Sequence, residues 1–306
     1  MTRVLVTGAA GFIARHLIPA LVGAGYEVIA LDKEATSGFR VISDDKPHFT
    51  YLCWDICNQS DMELLGRELE IDAVIHLAAL AAPRVAETIP AETFRINVLG
   101  TYNVLKIARE AGAKRIVFPS TAHVYGISPK YLPTDENAPL ALQSTYTVSK
   151  ILGEQLCALF YLNYNLSFVV LRMFNGYGPG QSSDYFIPSI INQALKGDVV
   201  VHGKEITKDF VYVEDIVEAM MRALSSNYVG VLNIGTGIQT SLGFVAEFIA
   251  THFNRKLEFA GEPDDKGPTR MQCDYSRAQA TLGWSPQTSL TDGLVKTLRL
   301  QIPPYT

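Results

Sequence analysis

The chain opens on Val4-Leu5-Val6, a short apolar run closed by Thr7-Gly8-Ala9-Ala10-Gly11. Phe12, Ile13, Leu17, Ile18 and Leu21 then recur at helical spacing as far as Gly23 and Gly25, and a second apolar run, Val28-Ile29-Ala30-Leu31, ends in Asp32. Recurrence every three to four residues marks an amphipathic helix, and an unbroken apolar run marks a strand covered on both faces, so this stretch predicts a β-α-β unit. The alternation continues with a strand at 49–53, a helix from 60 to about 69, a strand at 73–76, a long helix from about 91 to 111 and a strand at 115–119. Further strands are predicted at 167–172 and 231–234. Continuously apolar strands separated by helices predict an α/β fold with a doubly wound parallel sheet.

After Arg172 the turn-rich stretch Asn175-Gly176-Tyr177-Gly178-Pro179-Gly180 breaks the alternation. A smaller lobe is expected to begin there. It is interleaved with the sheet, because Phe210-Val211-Tyr212-Val213 and a helix at about 214–224 read as returns to the main body. The expected division is 1–174 plus about 209–235 for the sheet domain, and about 175–208 plus 236–306 for the lobe. The last residues, 302–306, read as a fraying tail.

Composition narrows the partners. With 26 Lys plus Arg against 31 Asp plus Glu and a net charge of −5, no basic surface is available to neutralise a phosphate backbone, so nucleic acid is not an expected partner. No apolar stretch approaches the ~18 residues of a membrane span, and the first residues lack the apolar core of a signal peptide. A cytoplasmic location without membrane association is therefore expected. Cys53, Cys57, Cys157 and Cys273 are too scattered for a disulfide framework and lack metal-ligand partners, so they read as bystander thiols, and no metal site is expected.

Gly8, Gly11 and Ala14 stand at the spacing Gly-x-x-Gly-x-x-Ala between a strand and a helix. That places backbone N–H groups and a helix N-terminus around one point, where a pyrophosphate fits. Asp32, ending the second strand, is positioned to accept from the adenosine ribose hydroxyls, and its charge repels a 2′-phosphate, which favours NAD over NADP. Lys33 and Arg40 lie close enough in sequence to hold that phosphate instead. Asp55, just after the third strand, is placed to reach the adenine edge or to cap a helix.

Tyr146 and Lys150 lie four residues apart on one helical face. Tyr102 and Lys106 repeat the spacing, but Tyr102 stands among Val104, Leu105 and Ile107 and reads as a packing residue. Tyr146 instead begins a helix downstream of Thr121, which follows a strand whose carboxyl end faces the ligand crevice of a parallel sheet. A phenol is a poor base at neutral pH, and a neighbouring ammonium favours its ionised form. Tyr146 is then equipped to take a hydroxyl proton while the attached carbon is oxidised, with Thr121 holding the same oxygen.

These stretches, with Asp55-Ile56, His76-Leu77-Ala78-Ala79, Asn97-Val98-Leu99-Gly100-Thr101, Ser120 to Gly126, Leu171 to Asn175, Asp209 to Asp215, Asn233-Ile234-Gly235 and Leu282-Gly283-Trp284, resemble the extended short-chain dehydrogenase/reductases, in the branch of nucleotide-sugar epimerases and dehydratases. The resemblance covers nearly the whole chain. It implies a Rossmann-type sheet, NAD as cofactor, a nucleotide-diphosphate sugar as substrate and a homodimer formed through helices at about 92–112 and 145–164. It implies Thr121, Tyr146 and Lys150 as the catalytic triad. Gly8, Gly11, Phe12, Ile13, Asp32, Asp55, Ile56, Leu77, Ala78, Ala79 and Asn97, with Tyr146 and Lys150, are implied at the cofactor. His123 and Tyr125 are implied in the sugar pocket, and Asn175, Pro188, His202, Lys208 and Arg270 at the nucleotide.

Two departures bear on the reaction. Where sugar 4,6-dehydratases of this family tend to carry an Asp-Glu pair after the catalytic Thr, this chain has Ala122 and His123, which weakens the dehydratase reading. Lys208 stands where relatives commonly place an arginine, so charge is retained without the bidentate fork. The expected activity is 4-epimerisation by transient oxidation at carbon 4. Dehydration or 4-keto reduction is the alternative, and a non-catalytic NAD-binding regulator a distant one.

Overall fold

Thirteen strands and eleven α-helices are formed among residues 1–34, 48–261 and 269–301, which the computed structural model describes. Arg40 and the expected tail lie outside these residues. The first half runs β1 (Arg3–Thr7), α1 (Phe12–Gly23), β2 (Glu27–Asp32), β3 (Phe49–Cys53), α2 (Gln59–Glu68), β4 (Ala73–His76), α3 (Pro83–Thr88), α4 (Pro90–Phe94), α5 (Thr101–Glu110), β5 (Arg115–Thr121) and α6 (Thr145–Tyr164). The second half runs β6 (Ser167–Met173), β7 (Asn175–Tyr177), α7 (Phe186–Lys196), β8 (Val199–Val201), β9 (Thr207–Lys208), β10 (Phe210–Tyr212), α8 (Val213–Ser225), β11 (Gly230–Ile234), β12 (Thr240–Ser241), α9 (Leu242–His252), β13 (Leu257–Phe259), α10 (Ser276–Leu282) and α11 (Leu290–Gln301).

Seven strands form one sheet in the order β11-β6-β5-β4-β1-β2-β3, with β1 paired in parallel to both β2 and β4. The order reverses at β1, and in such sheets the ligand crevice opens beyond the carboxyl ends of the strands at that reversal. Thr7, His76 and Thr121 end β1, β4 and β5 respectively. The apolar runs are buried as their continuity requires: Val4, Leu5 and Val6 and Val28, Ala30 and Leu31 are inaccessible, and Leu5, Val74, Val104, Leu105, Phe118, Cys157 and Phe160 share one core.

The helix expected as continuous from about 91 to 111 is instead α4, a π-helical turn over Arg95–Gly100, and α5. A π-turn inserts one residue into a helix and so re-aims the side chains within it. The residue re-aimed here is the buried Asn97, and at Gly100 the backbone lies so close to Ile56 that an added Cβ would stand 2.5 Å from its Cδ1. Spacing alone does not reveal such an insertion, because the residues on either side keep their helical period.

The chain forms two compact units, Met1–Val124 with Leu142–Arg172 and Val217–Leu232, and Tyr125–Ala141 with Met173–Ile216 and Asn233–Thr306. Residues 209–216 thus fall with the second unit rather than with the sheet, where the sequence reading placed them. The reason is pairing: β10 lies parallel to β7, and the Asp209 carboxylate accepts from the backbone N–H groups of Thr236, Gly237 and Cys273. Residues 125–141 join it because Thr134 bridges Cys273.

Within the first unit α6 comes backbone-close to β5: a Cβ on Gly153 would stand 2.4 Å from Cζ of Phe118. Gly153→Ala is therefore expected to lose about 1–3 kcal/mol through overpacking despite its better helix propensity. Gly23→Ala, which meets nothing within 4 Å, is expected to be neutral or slightly stabilising. Urea unfolding of the two variants checks the contrast.

Candidate active site

Gly8 turns the chain with φ +69°, and a Cβ there would lie 2.5 Å from the Ala78 nitrogen, so the turn rests directly on the residues after β4. Gly11 precedes α1 in extended backbone and no side chain caps the helix, which leaves its first N–H groups free of a side-chain acceptor. Asp32 reaches back to this turn: one carboxylate oxygen accepts from the Ala10 N–H at 3.0 Å and the other from Glu34 at 3.0 Å. An uncapped helix start, a backbone cradle that a Cβ would fill and a carboxylate beside them fit a dinucleotide pyrophosphate and ribose. Phe12 and Ile13, half-buried, form the first residues of α1.

Asp55 does not cap α2, whose cap is Asn58; it turns the chain onto the Cys57 N–H at 2.9 Å and pairs with Arg95 at 3.7 Å. Ile56 is buried against Gly100. Burial and the nearby Asp55 charge push the Cys57 thiol up to about 11, which leaves it protonated at neutral pH. Among the described residues no group of three or more His, Cys, Asp or Glu is arranged to hold a metal ion.

Behind the turn runs a buried hydrogen-bond chain whose proton directions follow from counting donors. Thr101 Oγ1 donates its one proton to the Asn97 carbonyl at 2.6 Å, so at His76 Nε2, 3.0 Å away, it accepts. His76 then carries its proton on Nε2, and Nδ1 accepts from Thr7 Oγ1 at 2.6 Å. Thr7 Oγ1 in turn accepts the Ala78 N–H at 3.3 Å. Burial, with the Lys150 charge adding to it, holds His76 down at about 3, consistent with this neutral tautomer.

Asn97 continues the chain. Its side chain accepts from Leu80 N–H at 2.8 Å and donates to the Leu80 carbonyl at 3.1 Å and to Ser149 Oγ at 2.9 Å, while Ser149 donates to the Tyr146 carbonyl at 2.7 Å. The loop carrying Leu77, Ala78 and Ala79 is thereby tied at one end to the glycine turn and at the other to α6.

Ser144 starts α6 in a reciprocal capping box with Thr147, so Tyr146 lies in the first turn and Lys150 one turn on. Both are buried, at 7% and 6% exposure. Lys150 Nζ donates to the Pro119 carbonyl at 2.9 Å and lies 5.0 Å from the centre of the Phe118 ring. This docks the helix onto β5 two residues before Thr121, whose Oγ1 accepts the His123 N–H at 3.2 Å. Burial pulls the ammonium down to about 8, against the opposing charge of Glu154.

The residues expected at the nucleotide lie in the second unit. Asn175 donates through its side chain to the Asp209 carbonyl at 3.1 Å, beside Lys208, whose Nζ is 3.9 Å from the Met271 sulfur. Arg270 is exposed, and its backbone bridges Thr207 in parallel register. Pro188 is buried in α7, and His202 is exposed after β8. Tyr125 is buried, with its hydroxyl donating to Asn233 at 2.7 Å. Sequence reasoning assigned no role to Thr101, Ser149, Glu154 and Arg172. Ser149 and Glu154 carried a signal, since both fall three and four residues from Tyr146 and Lys150 on the same face.

A doubly wound sheet with a glycine turn at its reversal and a buried Tyr-Lys pair beside β5 is the scaffold of a dinucleotide-dependent enzyme. The sequence profile of the NAD dependent epimerase/dehydratase family matches residues 4–235, and the chain belongs to that family. It is 31% identical to UDP-glucose 4-epimerase of Mycolicibacterium smegmatis, covering 97% of both chains. It is also 31% identical to UDP-glucuronic acid decarboxylase 3 of Arabidopsis thaliana, covering 98% of this chain and 91% of the relative. Among solved structures, Thermus thermophilus UDP-glucose 4-epimerase in complex with NAD superposes with a TM-score of 0.88 at 30% identity, covering 98% of each chain. Among the described residues no helix is long and apolar enough to cross a membrane.

The buried neutral His76 has a consequence for stability. An unfolded histidine takes up a proton below its ordinary value of 6.5, whereas His76 does so only near 3, so the unfolded state gains protons first and stability falls as pH drops below 6.5. The loss is about 1.4 kcal/mol per pH unit in that window. In urea unfolding, the stability margin of the wild type over His76→Asn is expected to shrink by about 2 kcal/mol between pH 7 and pH 5.

Proposed function

We propose that this chain is an NAD-dependent nucleotide-sugar 4-epimerase in which Thr121, Tyr146 and Lys150 carry the chemistry. The observation that supports it most directly is the Lys150 ammonium, buried on the Pro119 carbonyl one turn from Tyr146 at the end of β5. When bound, NAD supplies the reversible hydride acceptor for the sugar's carbon 4. Tyr146, as phenolate, takes the proton of the carbon-4 hydroxyl and later returns it, while Lys150 stabilises the phenolate and Thr121 holds the same oxygen. Inversion follows from a turn of the keto sugar between the two steps. Ala122 and His123 offer no carboxylate for eliminating water, which favours epimerisation over dehydration.

In this reading Gly8, Gly11, Phe12, Ile13, Asp32, Asp55, Ile56, Leu77, Ala78, Ala79 and Asn97 hold the cofactor. His123, Tyr125, Asn175, Pro188, His202, Lys208 and Arg270 hold a nucleotide-diphosphate sugar, for which the relatives make a UDP-sugar the first to test. A second copy of the chain covers the apolar surface that exposes Phe94, Leu99 and Tyr102 from α4 to α5 and Leu152 and Leu159 on α6. The reaction is cytoplasmic.

Purified protein incubated with UDP-sugars and no added cofactor is expected to yield an isomer of unchanged mass, followed by mass spectrometry and proton NMR. Loss of water or of carbon dioxide would replace the epimerase reading with dehydratase or decarboxylase, and NAD binding without turnover would favour a regulator. Tyr146→Phe is expected to lower turnover by about 10²–10⁴-fold with NAD still bound, since it removes the proton acceptor while the glycine turn and Asp32 still hold the cofactor. Asp32→Ala is expected to weaken NAD and relax discrimination against NADP in equilibrium binding. Leu99→Glu is expected to give a monomer by sedimentation.

A further inference from the structure

Two consecutive residues of β5, Pro119 and Ser120, hold α6 at two points one turn apart. Pro119 accepts from Lys150 Nζ at 2.9 Å, Ser120 donates from Oγ to Glu154 Oε1 at 2.5 Å, and Thr121 follows with its hydroxyl. Glu154 is itself gripped by the Arg172 fork, Nε to Oε1 at 3.0 Å and Nη2 to Oε2 at 2.6 Å. Glu154 is 3% exposed and Arg172 5%. A buried ion pair of this kind contributes little to stability over a well-packed apolar pair, since desolvation offsets the attraction. An apolar pair is unable, however, to supply a charge one turn from a buried ammonium.

We infer that Glu154 and Arg172 are positioning residues for Lys150: Glu154 supplies the negative charge that keeps the buried ammonium protonated, and Arg172 caps how much of that charge Lys150 feels. The inference rests on the assignment of Tyr146 and Lys150 as the proton-handling pair. Burial lowers the Lys150 ammonium and Glu154 opposes that lowering. Among the described residues, the titratable groups acting on Lys150 are Glu154 and Cys157 on its own helix and His76 on β4, with Tyr146 one turn before it on α6, and Ser120 and Thr121 of β5 are uncharged. On α3 and α4, Glu87 is taken up by Thr145 and Glu92 by Arg95. Cys157, driven up by burial, is neutral, and so is His76. Glu154 is thus the negative charge on Lys150, and Arg172 its counterweight.

Opposite shifts test this. Glu154→Gln removes the negative charge, so both limbs of the pH profile of turnover are expected to move to lower pH by about one unit. Arg172→Met leaves Glu154 uncompensated and is expected to move both limbs to higher pH. Arg172→Lys keeps the charge and is expected to stay within about 0.3 unit of wild type, whereas the Glu154→Gln/Arg172→Met double variant, which lacks the carboxylate one turn from Lys150, is expected to move both limbs to lower pH by less than Glu154→Gln alone. A second readout needs no turnover: the tyrosinate ultraviolet difference titration of the purified protein, with Tyr146→Phe as blank, is expected to shift in the same directions.

A purely structural pair would lower stability in both single variants and leave the limbs in place. Limbs that stay put, or that move the same way in both, overturn the inference. If the charge-removing single variants do not fold, the double variant decides: limbs that stay at wild-type pH or move to higher pH overturn the inference, and limbs that move to lower pH support it. If the wild type turns over no sugar nucleotide, the epimerase reading fails, and the difference titration still decides this one.

Discussion

The burial of one ammonium organises the site. Lys150 gives up nearly all contact with water for the Pro119 carbonyl and the face of Phe118, and a lone cation in such a place is held only if its surroundings compensate. The compensation comes from the helix that carries it, through Glu154, and from the strand it docks on, through a backbone carbonyl. Because one helix supplies the phenol, the ammonium and the carboxylate at successive turns, the docking of α6 fixes all three against β5 at once. The absence of a side chain at Gly153 lets the helix come close enough for this to happen.

Burial, with the same charge adding to it, keeps the neighbouring histidine neutral. His76 is sealed among Thr7, Thr101 and the Lys150 field, so its charged form is excluded and its ring is a fixed one-donor, one-acceptor link. From Ala78 through Thr7, His76 and Thr101 to Asn97, and through Asn97 to Leu80 and Ser149, each proton has a single available direction. A chain with fixed directions positions the loop after β4 more tightly than the same number of interchangeable contacts, since any reversal strands a buried donor. The π-turn belongs to this arrangement, because it is what places Asn97 between Leu80 and Ser149.

Local pattern carried much of this architecture. The apolar runs at 4–6, 28–31 and 73–76 are strands of one sheet because a strand buried on both faces has no alternative to continuous apolarity. The glycine turn and Asp32 were legible because backbone approach and φ > 0 admit few residue types. The helical spacing of Tyr146 and Lys150 was legible too, although Tyr102 and Lys106 share it. What separates the pairs is burial: Tyr102 is 44% exposed and Tyr146 is 7% exposed. The placing of 125–141 and 209–216 in the second unit was not legible, since it rests on pairings between segments tens to over a hundred residues apart.

The sequence by itself thus determined the class of fold, the glycine turn and the helical spacing of the side chains proposed to carry the chemistry, because each depends on a residue type or a period that neighbours in the chain impose. The tertiary structure alone decided which protonation states those side chains hold. Charge in a protein interior depends on what is brought within a few ångströms from other strands and helices, and Arg172, Pro119 and Thr7 reach the site from three different strands of the sheet.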